Sequence, residues 1–268
     1  MDMLTTYSDR RELDRSVLLL RRLGLAHTVV SPDPAYAAVA SPALVLSDEA
    51  RAAFMAGGGS EMVDTGWVAY RPAAASVPDE PPRAFTEDIV RRVAIVVLAP
   101  CVADPDRLRL IAHFSGDTAA VLPYLNAELR QGSYVPTIPA LTYMDGRRVV
   151  SLFRNRVAIA KAADIVDAWA SLERARCLAN EIWSRRAEIT PLCEARRRPP
   201  ALEIYRHLPG TNCGVCGEVT CLAFAWAVWR GDADPSRCLP VFEGERIDAR
   251  DGLLAVSTDL GAVDLSGD

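Results

Sequence analysis

The pattern of hydrophobic and polar positions along residues 1–72 predicts a small α/β unit. A stripe of Leu13, Val17 and Leu20 at helical spacing predicts a first helix that ends at Gly24. The full set of predicted elements is a strand at 3–7, a helix from Ser8 to Gly24, strands at 26–30 and 43–46, and a second helix from Ser47 to Gly57. The order β-α-β-β-α is typical of a ferredoxin-like sandwich, which is the fold we expect here.

A segment rich in proline and alanine follows this unit. Residues 71–82 have neither the period of a helix nor the alternation of a strand. Such a composition favours an extended and solvated chain. We therefore assign residues 73–88 to a linker between two folded units.

Residues 89–195 carry the pattern of a central α+β unit. The β-branched run at 92–100 predicts a buried strand, and Asp104 followed by Pro105 predicts the start of a helix that includes residues 108–111. The other predicted elements are a helix at 122–129, a hairpin of strands 140–144 and 149–153 around an Asp145-Gly146 turn, a strand at 157–160 and a long helix at 164–186. We expect helices to cover the sheet, and the segment has no glycine-rich phosphate loop or nucleotide fingerprint.

Four cysteines are concentrated in residues 196–245, which we assign to a third unit. They are Cys213, Cys216, Cys221 and Cys238, separated by two, four and sixteen residues. Glycines directly after the first two cysteines let the backbone turn tightly around a central group. The apolar run after Cys221 predicts a helix that ends at Gly231. Cys221 would then lie at a helix N-terminus, whose partial positive charge favours an anionic group.

These thiolates predict the ligand set of an iron–sulfur cluster. Three close cysteines can cover one side of a [4Fe–4S] cube, and the distant Cys238 can close the cage. Structural zinc, disulfides and unrelated core thiols are the alternatives. Zinc sites more often use two short-spaced ligand pairs, and a reducing cytoplasm keeps thiols free. Cys101, Cys177 and Cys193 are too far apart in sequence to indicate a second cluster, and we interpret them as core or incidental thiols.

The stretch from Leu208 to Ala225, followed by Gly231 and Cys238-Leu-Pro, resembles a small four-cysteine [4Fe–4S] domain. That domain occurs in the large subunit of the corrinoid iron–sulfur protein and in the ferredoxin-like subunit of an ion-translocating electron-transport complex. The resemblance implies a [4Fe–4S] cofactor held by the four cysteines. It does not extend to a corrinoid-binding barrel or to an eight-cysteine ferredoxin segment.

The N-terminal unit resembles, over fewer features, a family of small proteins described as selenium or sulfur carriers. In that family a Cys-Gly pair follows a proline-containing loop, and this sequence has Ser41-Pro42 at the corresponding place. The carrier thiol is therefore missing, and the resemblance implies no persulfide chemistry at this position.

Composition and charge narrow the class of protein. Half of the 268 residues are apolar, and the net charge of −5 at pH 7 gives no reason to expect nucleic acid as a partner. The apolar runs are much shorter than the roughly 20 residues that a membrane helix needs. No signal segment is evident at the start. We therefore expect a cytoplasmic protein of several units, with residues 246–268 as a C-terminal tail.

Together these observations predict a [4Fe–4S] protein that transfers single electrons to or from a partner protein, a metalloenzyme or its maturation system. They identify no catalytic residue and no small-molecule substrate. A reductase or activator with a second cofactor between the central unit and the cluster remains an alternative, as does a zinc-stabilised scaffold. The arginines at 196–198 predict either a solvated hinge or an electropositive docking surface. His207 is expected on a surface helix or within hydrogen-bonding distance of the cluster.

Overall fold

The computed structural model describes residues 1–72, 83–196, 199–244 and 246–259. Within these ranges the chain forms two antiparallel sheets and eight α-helices, which confirms the expected α+β class. Every helix in these ranges is too short or too polar to cross a bilayer.

The N-terminal unit contains β1 (Asp2–Thr5), α1 (Arg10–Arg22), β2 (Thr28–Val30), β3 (Ala43–Ser47), α2 (Asp48–Ala56) and β4 (Val68–Ala69). Its strands follow the order β2-β3-β1-β4, and every neighbouring pair is antiparallel. The N-cap of α1 is Asp9 rather than the predicted Ser8, because the Asp9 side chain accepts a hydrogen bond from the Arg11 N–H. The five predicted elements are present, and β4 follows them.

Each face of this sheet packs against a different layer. Leu44 and Leu46 of β3 share a core with Phe54 of α2. Leu4 and Val45 belong instead to the core of the central unit. Because successive strand residues point to opposite faces, one four-stranded sheet lies between the two helices and the central unit. The two units therefore share one hydrophobic core.

Backbone hydrogen bonds from the segment 93–98 join these two units. The Leu98 N–H donates to the Thr65 carbonyl at 2.6 Å, and the Val93 N–H donates to the Ala38 carbonyl at 2.9 Å. Gly66 has a φ of +113°, and a Cβ atom on it would overlap the Leu98 carbonyl oxygen. Only glycine combines this backbone conformation with so close an approach.

The central unit contains β5 (Val93–Pro100), β6 (Leu108–Phe114), α3 (Leu122–Glu128), β7 (Ser133–Val135), β8 (Ala140–Asp145), β9 (Arg148–Phe153), β10 (Arg156–Ala162) and α4 (Ile165–Ser184). Its six strands follow the antiparallel order β5-β6-β10-β9-β8-β7. The predicted apolar stripe of α4 is buried on this sheet, with Trp169 and Leu172 at its centre. The predicted hairpin is also present, and Gly146 and Arg147 form its loop.

Residues 108–114 form a strand, whereas the sequence predicts a helix that includes residues 108–111. The inward side chains alternate with more exposed ones and are Leu108, Leu110, Ala112 and Phe114. This period of two is typical of a strand. Asp104 and Pro105 belong to a turn before β6. The helix prediction was wrong because this turn signal resembles a helix start and outweighed the alternation that follows it.

The part of the expected linker that the structure describes is attached to α4. The Arg83 carbonyl accepts a hydrogen bond from Arg176 Nη2 at 3.1 Å. Asp88 accepts one from Asn180 Nδ2 at 3.0 Å. Both donors lie on α4, so this stretch is anchored to the central unit although most of its side chains are exposed. Residues 73–82 of the linker lie outside the described residues.

The third unit contains α5 (Ala201–Arg206), α6 (Cys221–Arg230), α7 (Leu239–Phe242) and α8 (Arg250–Asp259). It has its own core, in which Ile204, Val241 and Leu253 are fully buried. Residues 250–259 were expected to belong to a tail. They form α8 instead, because this helix packs on α5 and buries Leu253.

Candidate metal centre

Three of the four motif cysteines lie in the core of the third unit. Cys216, Cys221 and Cys238 expose only 8%, 6% and 5% of their surface and pack in the same hydrophobic cluster. Cys213 is exposed, and all four are free thiols. The fold thus gathers thiols that are distant in sequence without pairing them as disulfides.

The other three motif cysteines are near enough to Cys238 to affect its pKa. Burial raises the pKa of the Cys238 thiol, and the nearby Cys216, Cys221 and Cys213 raise it further. A backbone hydrogen bond from Val215 acts in the opposite direction on Cys213 and holds its pKa below the ordinary value. Thiolates that repel one another in this way need a cation among them to be stable together.

The sulfurs are not closed into a finished cage. Among the described residues, no group of three or more His, Cys, Asp or Glu side chains is close enough to hold a metal ion. Binding itself often completes such sites, because the metal draws its deprotonated ligands together. Three soft thiols in one core, with a fourth exposed one on the same loop, fit an iron–sulfur cluster, and they also fit zinc.

Left-handed backbone shapes the loop that carries the first three cysteines. Asn212, Gly214 and Gly217 have φ values of +52°, +74° and +89°. At Gly214 the nearest atom to a Cβ would be 4.0 Å away, so the backbone angle, and not crowding, requires glycine. Asn212 has a side chain in this region, and its Oδ1 accepts a hydrogen bond from the Cys221 N–H at 2.9 Å. This bond ties the two ends of the loop together.

Cys221 is the first residue of α6, as predicted. Thr220 caps the helix, and its Oγ1 accepts a hydrogen bond from the Ala223 N–H at 3.0 Å. Gly231 ends the helix with a φ of +80°. The side chains of Asn212 and Thr220 therefore already accept hydrogen bonds from the N–H groups of Cys221 and Ala223. The helix dipole, rather than these two groups, is what remains to favour an anionic ligand.

Cys238 reaches the same core from the other side of the unit. Asp234 caps a 3-10 turn over Pro235–Arg237, and this turn leads into Cys238. Pro240 was expected to prevent regular structure after the cysteine. It lies instead in the first turn of α7, where its missing N–H would have had no partner within the helix.

The other sequence candidates lie away from this loop. Cys101 is buried in the central unit, Cys177 is half-buried on α4, and Cys193 is exposed. His207 is the C-cap of α5, and a Cβ atom at Gly252 of α8 would overlap its ring. His207 therefore packs between two helices and is half-buried.

The segment that leads into the third unit is anchored to α3. Asn126 Nδ2 donates a hydrogen bond to the Leu192 carbonyl at 2.8 Å. Arg196 Nη2 donates to the Asn126 carbonyl at 2.6 Å. Arg196 is therefore neither part of a solvated hinge nor a free cation for docking. Arg197 and Arg198, the rest of the expected basic patch, lie outside the described residues.

Comparison with known proteins assigns this region to a class. Residues 208–240 match the family model described as "Putative Fe-S cluster". The match contains all four cysteines, and with the gathered thiols it supports an iron–sulfur cluster as the bound group.

Individual relatives share only this iron–sulfur region. The chain is similar to the acetyl-CoA decarbonylase/synthase complex subunit gamma 2 of Methanosarcina thermophila, at 44% identity over 45 residues. It is also similar to the corrinoid/iron-sulfur protein large subunit of Moorella thermoacetica, at 49% identity over 45 residues. Each match covers 17% of this chain and 10% of the relative.

No solved structure matches the chain significantly. The matches also lend no support to the resemblance between the N-terminal unit and selenium or sulfur carriers, which stays a prediction.

Replacement of Asn212 by glycine tests the bond that ties the cysteine loop. Glycine keeps the left-handed backbone but removes the acceptor of the Cys221 N–H, so we expect a loss of about 1 kcal/mol in the stability of the third unit. Metal-loaded protein should release its metal to a chelator several-fold faster. Thr220→Ser, which keeps a capping hydroxyl, is the matched control and should leave the rate unchanged. Equal release rates for Asn212→Gly and the parent protein would show that the bond is unimportant.

Proposed function

We propose that Cys213, Cys216, Cys221 and Cys238 bind a [4Fe–4S] cluster and that the protein transfers single electrons to or from a partner protein or metalloenzyme. The observation that carries this proposal is the burial of three free thiols in one core next to a fourth, exposed one. Thiolates are the ligands that iron–sulfur clusters use, and the degree of burial tunes their potential. An exposed fourth ligand leaves one corner of the cluster near the surface, where a partner can reach it.

The partner that we propose docks on an apolar surface. Five apolar side chains beside the cysteine motif are exposed, and Val219, between two of the ligands, exposes 85% of its surface. We call them the motif patch: Val215, Val219, Leu222, Trp226 and Leu239. Leu222 and Trp226 lie one turn apart on the same face of α6. Contiguous exposed apolar groups mark protein interfaces, and we propose that these five form such a surface. The Methanosarcina relative is itself named as a subunit of a complex, which agrees with a protein partner.

The three units divide this work in our proposal. The third unit holds the cluster, while the ferredoxin-like N-terminal unit and the central unit provide a rigid body that determines partner choice. Their shared core supports rigidity. Free thiols throughout the described residues are compatible with a reducing cytoplasm, where we place the protein.

Anaerobic purification or reconstitution tests the proposal directly. We expect brown protein with about four iron and four sulfide per chain, and a paramagnetic signal after reduction with dithionite. The absorption should bleach on reduction and return on reoxidation. A colourless protein that holds one zinc ion would replace the electron-transfer proposal with a scaffold. A second absorbing cofactor, present in stoichiometric amounts beside the cluster, would favour a reductase or activator instead.

A further inference from the structure

A cavity of about 610 Å³ lies between the central unit and the third unit. Its wall comes from the turn before β6, the β8–β9 loop, the end of β10 and the start of α4. Asp232, which follows α6, completes the wall from the third unit. Small-molecule sites have volumes of about 300–1,000 Å³, and this cavity lies within that range. The four motif cysteines are not part of its wall, so it is a separate site.

The carboxylates of the wall are already paired. Asp167 accepts hydrogen bonds from Arg148 Nε at 2.9 Å and from the Ala163 N–H at 2.7 Å. Burial raises the pKa of Asp167, but the bond from Arg148 and then that from Ala163 outweigh burial, and the pKa lies below its ordinary value. The other two ion pairs are Arg107–Asp104 at 3.7 Å and Arg230–Asp232 at 2.9 Å.

Two cations of the wall remain without a carboxylate. Arg147, in the loop of the β8–β9 hairpin, and Lys161, at the end of β10, form no ion pair and no side-chain hydrogen bond with the residues that the structure describes. Lys161 is the single lysine among the 30 basic residues of the chain. The cavity therefore presents uncompensated positive charge from one guanidinium and one ammonium group.

The backbone of Lys161 is unusual for a residue with a side chain. Its φ is +66°, at a bulge where the pairing of β10 with β6 shifts register between Ala160 and Ala162. Glycine is the residue best suited to this conformation, and a lysine there strains the backbone. Strain of this kind is retained where the side chain has a task.

The bulge has a structural purpose that does not need a lysine side chain. Burial raises the pKa of the Cys101 thiol, but backbone N–H groups of Ala103, Asp104 and Lys161 bind its sulfur and bring the pKa below the ordinary value. A glycine at position 161 would supply the same N–H group. The Cys101 contact therefore accounts for the bulge and leaves the ammonium group unexplained.

We propose that this cavity binds a small organic anion, whose phosphate or carboxylate oxygens are held by Arg147 and Lys161. The guanidinium offers a planar pair of donors to one oxyanion, and the ammonium acts as a flexible point charge. Arg148 is fixed by Asp167 and Asp145 and forms a rigid part of the wall. This inference does not depend on which metal or cluster the cysteines bind, so its failure would leave the proposed function unaffected.

Calorimetric titration of the full chain tests the site with two probes, inorganic pyrophosphate and succinate. We expect at least one probe to bind the parent protein, and Lys161→Gln and Arg147→Gln each to weaken that binding tenfold or more. The probe that binds assigns the phosphate or the carboxylate class. Arg22→Gln, which removes an exposed charge at the end of α1, is the matched control and should bind as the parent does.

Lys161→Gly separates loss of binding from misfolding. It keeps the bulge and relieves strain, so it should unfold at a temperature no lower than the parent protein while binding the probe at least tenfold more weakly. Failure of both probes to bind the parent would overturn the site. Undiminished binding in either Lys161→Gln or Arg147→Gln would overturn it as well, because the anion would then be held elsewhere.

Discussion

Replacement of Cys221 by serine should remove the bound cluster and loosen the whole third unit. The sulfur of Cys221 is buried in the core of that unit, near Cys216 and Cys238. Serine is a poor ligand for iron, so one corner of the cluster loses its anchor. A unit this small gains a large part of its stability from its metal, as small metal-bound domains do. We therefore expect iron to fall from about four atoms per chain to less than one.

Hydrogen exchange and metal analysis check this result together. In the variant, amides of α6 and α7 should exchange at least tenfold faster, while those of β6 and α4 keep their protection, since they belong to a different core. Cys193→Ser removes an exposed thiol outside the motif and is the matched control. It should retain full iron and an unchanged paramagnetic signal. Full iron in Cys221→Ser would remove this residue from the ligand set.

Replacement of Gly66 by alanine should have the second largest effect. It should destabilise the N-terminal and central units rather than the third unit. The new Cβ atom would overlap the Leu98 carbonyl oxygen, and the φ of +113° is unfavourable for any residue with a side chain. Backbone strain and overpacking each cost about 1–3 kcal/mol. We expect the free energy of unfolding to fall by about 3–5 kcal/mol in urea titrations followed by circular dichroism.

Gly24→Ala is the control that separates strain from crowding. Gly24 also has a positive φ, of +66°, but no atom lies within 4 Å of the position that its Cβ would take. Its replacement should cost only about 1–2 kcal/mol, the conformational term alone. If both variants lost the same stability, the close approach of Gly66 to Leu98 would have no energetic weight. The two units would then be less tightly joined than their shared core indicates.

Local signals allowed much of the fold to be predicted. The start of α2 at Ser47, the apolar stripe of α4 and the stop of α6 at Gly231 each depend on a few neighbouring residues, and each prediction is confirmed. The prediction for β6 failed because two local signals disagreed. One was the turn at Asp104-Pro105, and the other was the alternation of buried and exposed residues after it. Tertiary pairing with β5 and β10 decided between them.

The cysteine motif could be recognised from spacing alone, but its surroundings could not. Asn212 gives no sign in the sequence that it binds the Cys221 N–H, because the bond depends on a left-handed turn between them. The anion cavity was missed for a similar reason. Arg147 and Lys161 are brought together only by the pairing of three strands. The sole available signal was that Lys161 is the one lysine in an arginine-rich chain.

The helix α8 gives the third unit a boundary that its sequence signature does not reveal. The family match ends at residue 240, yet Leu253 fills the core beside Ile204, and the ring of His207 lies against Gly252. A fragment cut at the end of the signature would leave this core open to water on the side that α8 covers. The segment that must be transferred to move such a domain into another protein is therefore longer than the stretch that identifies the domain.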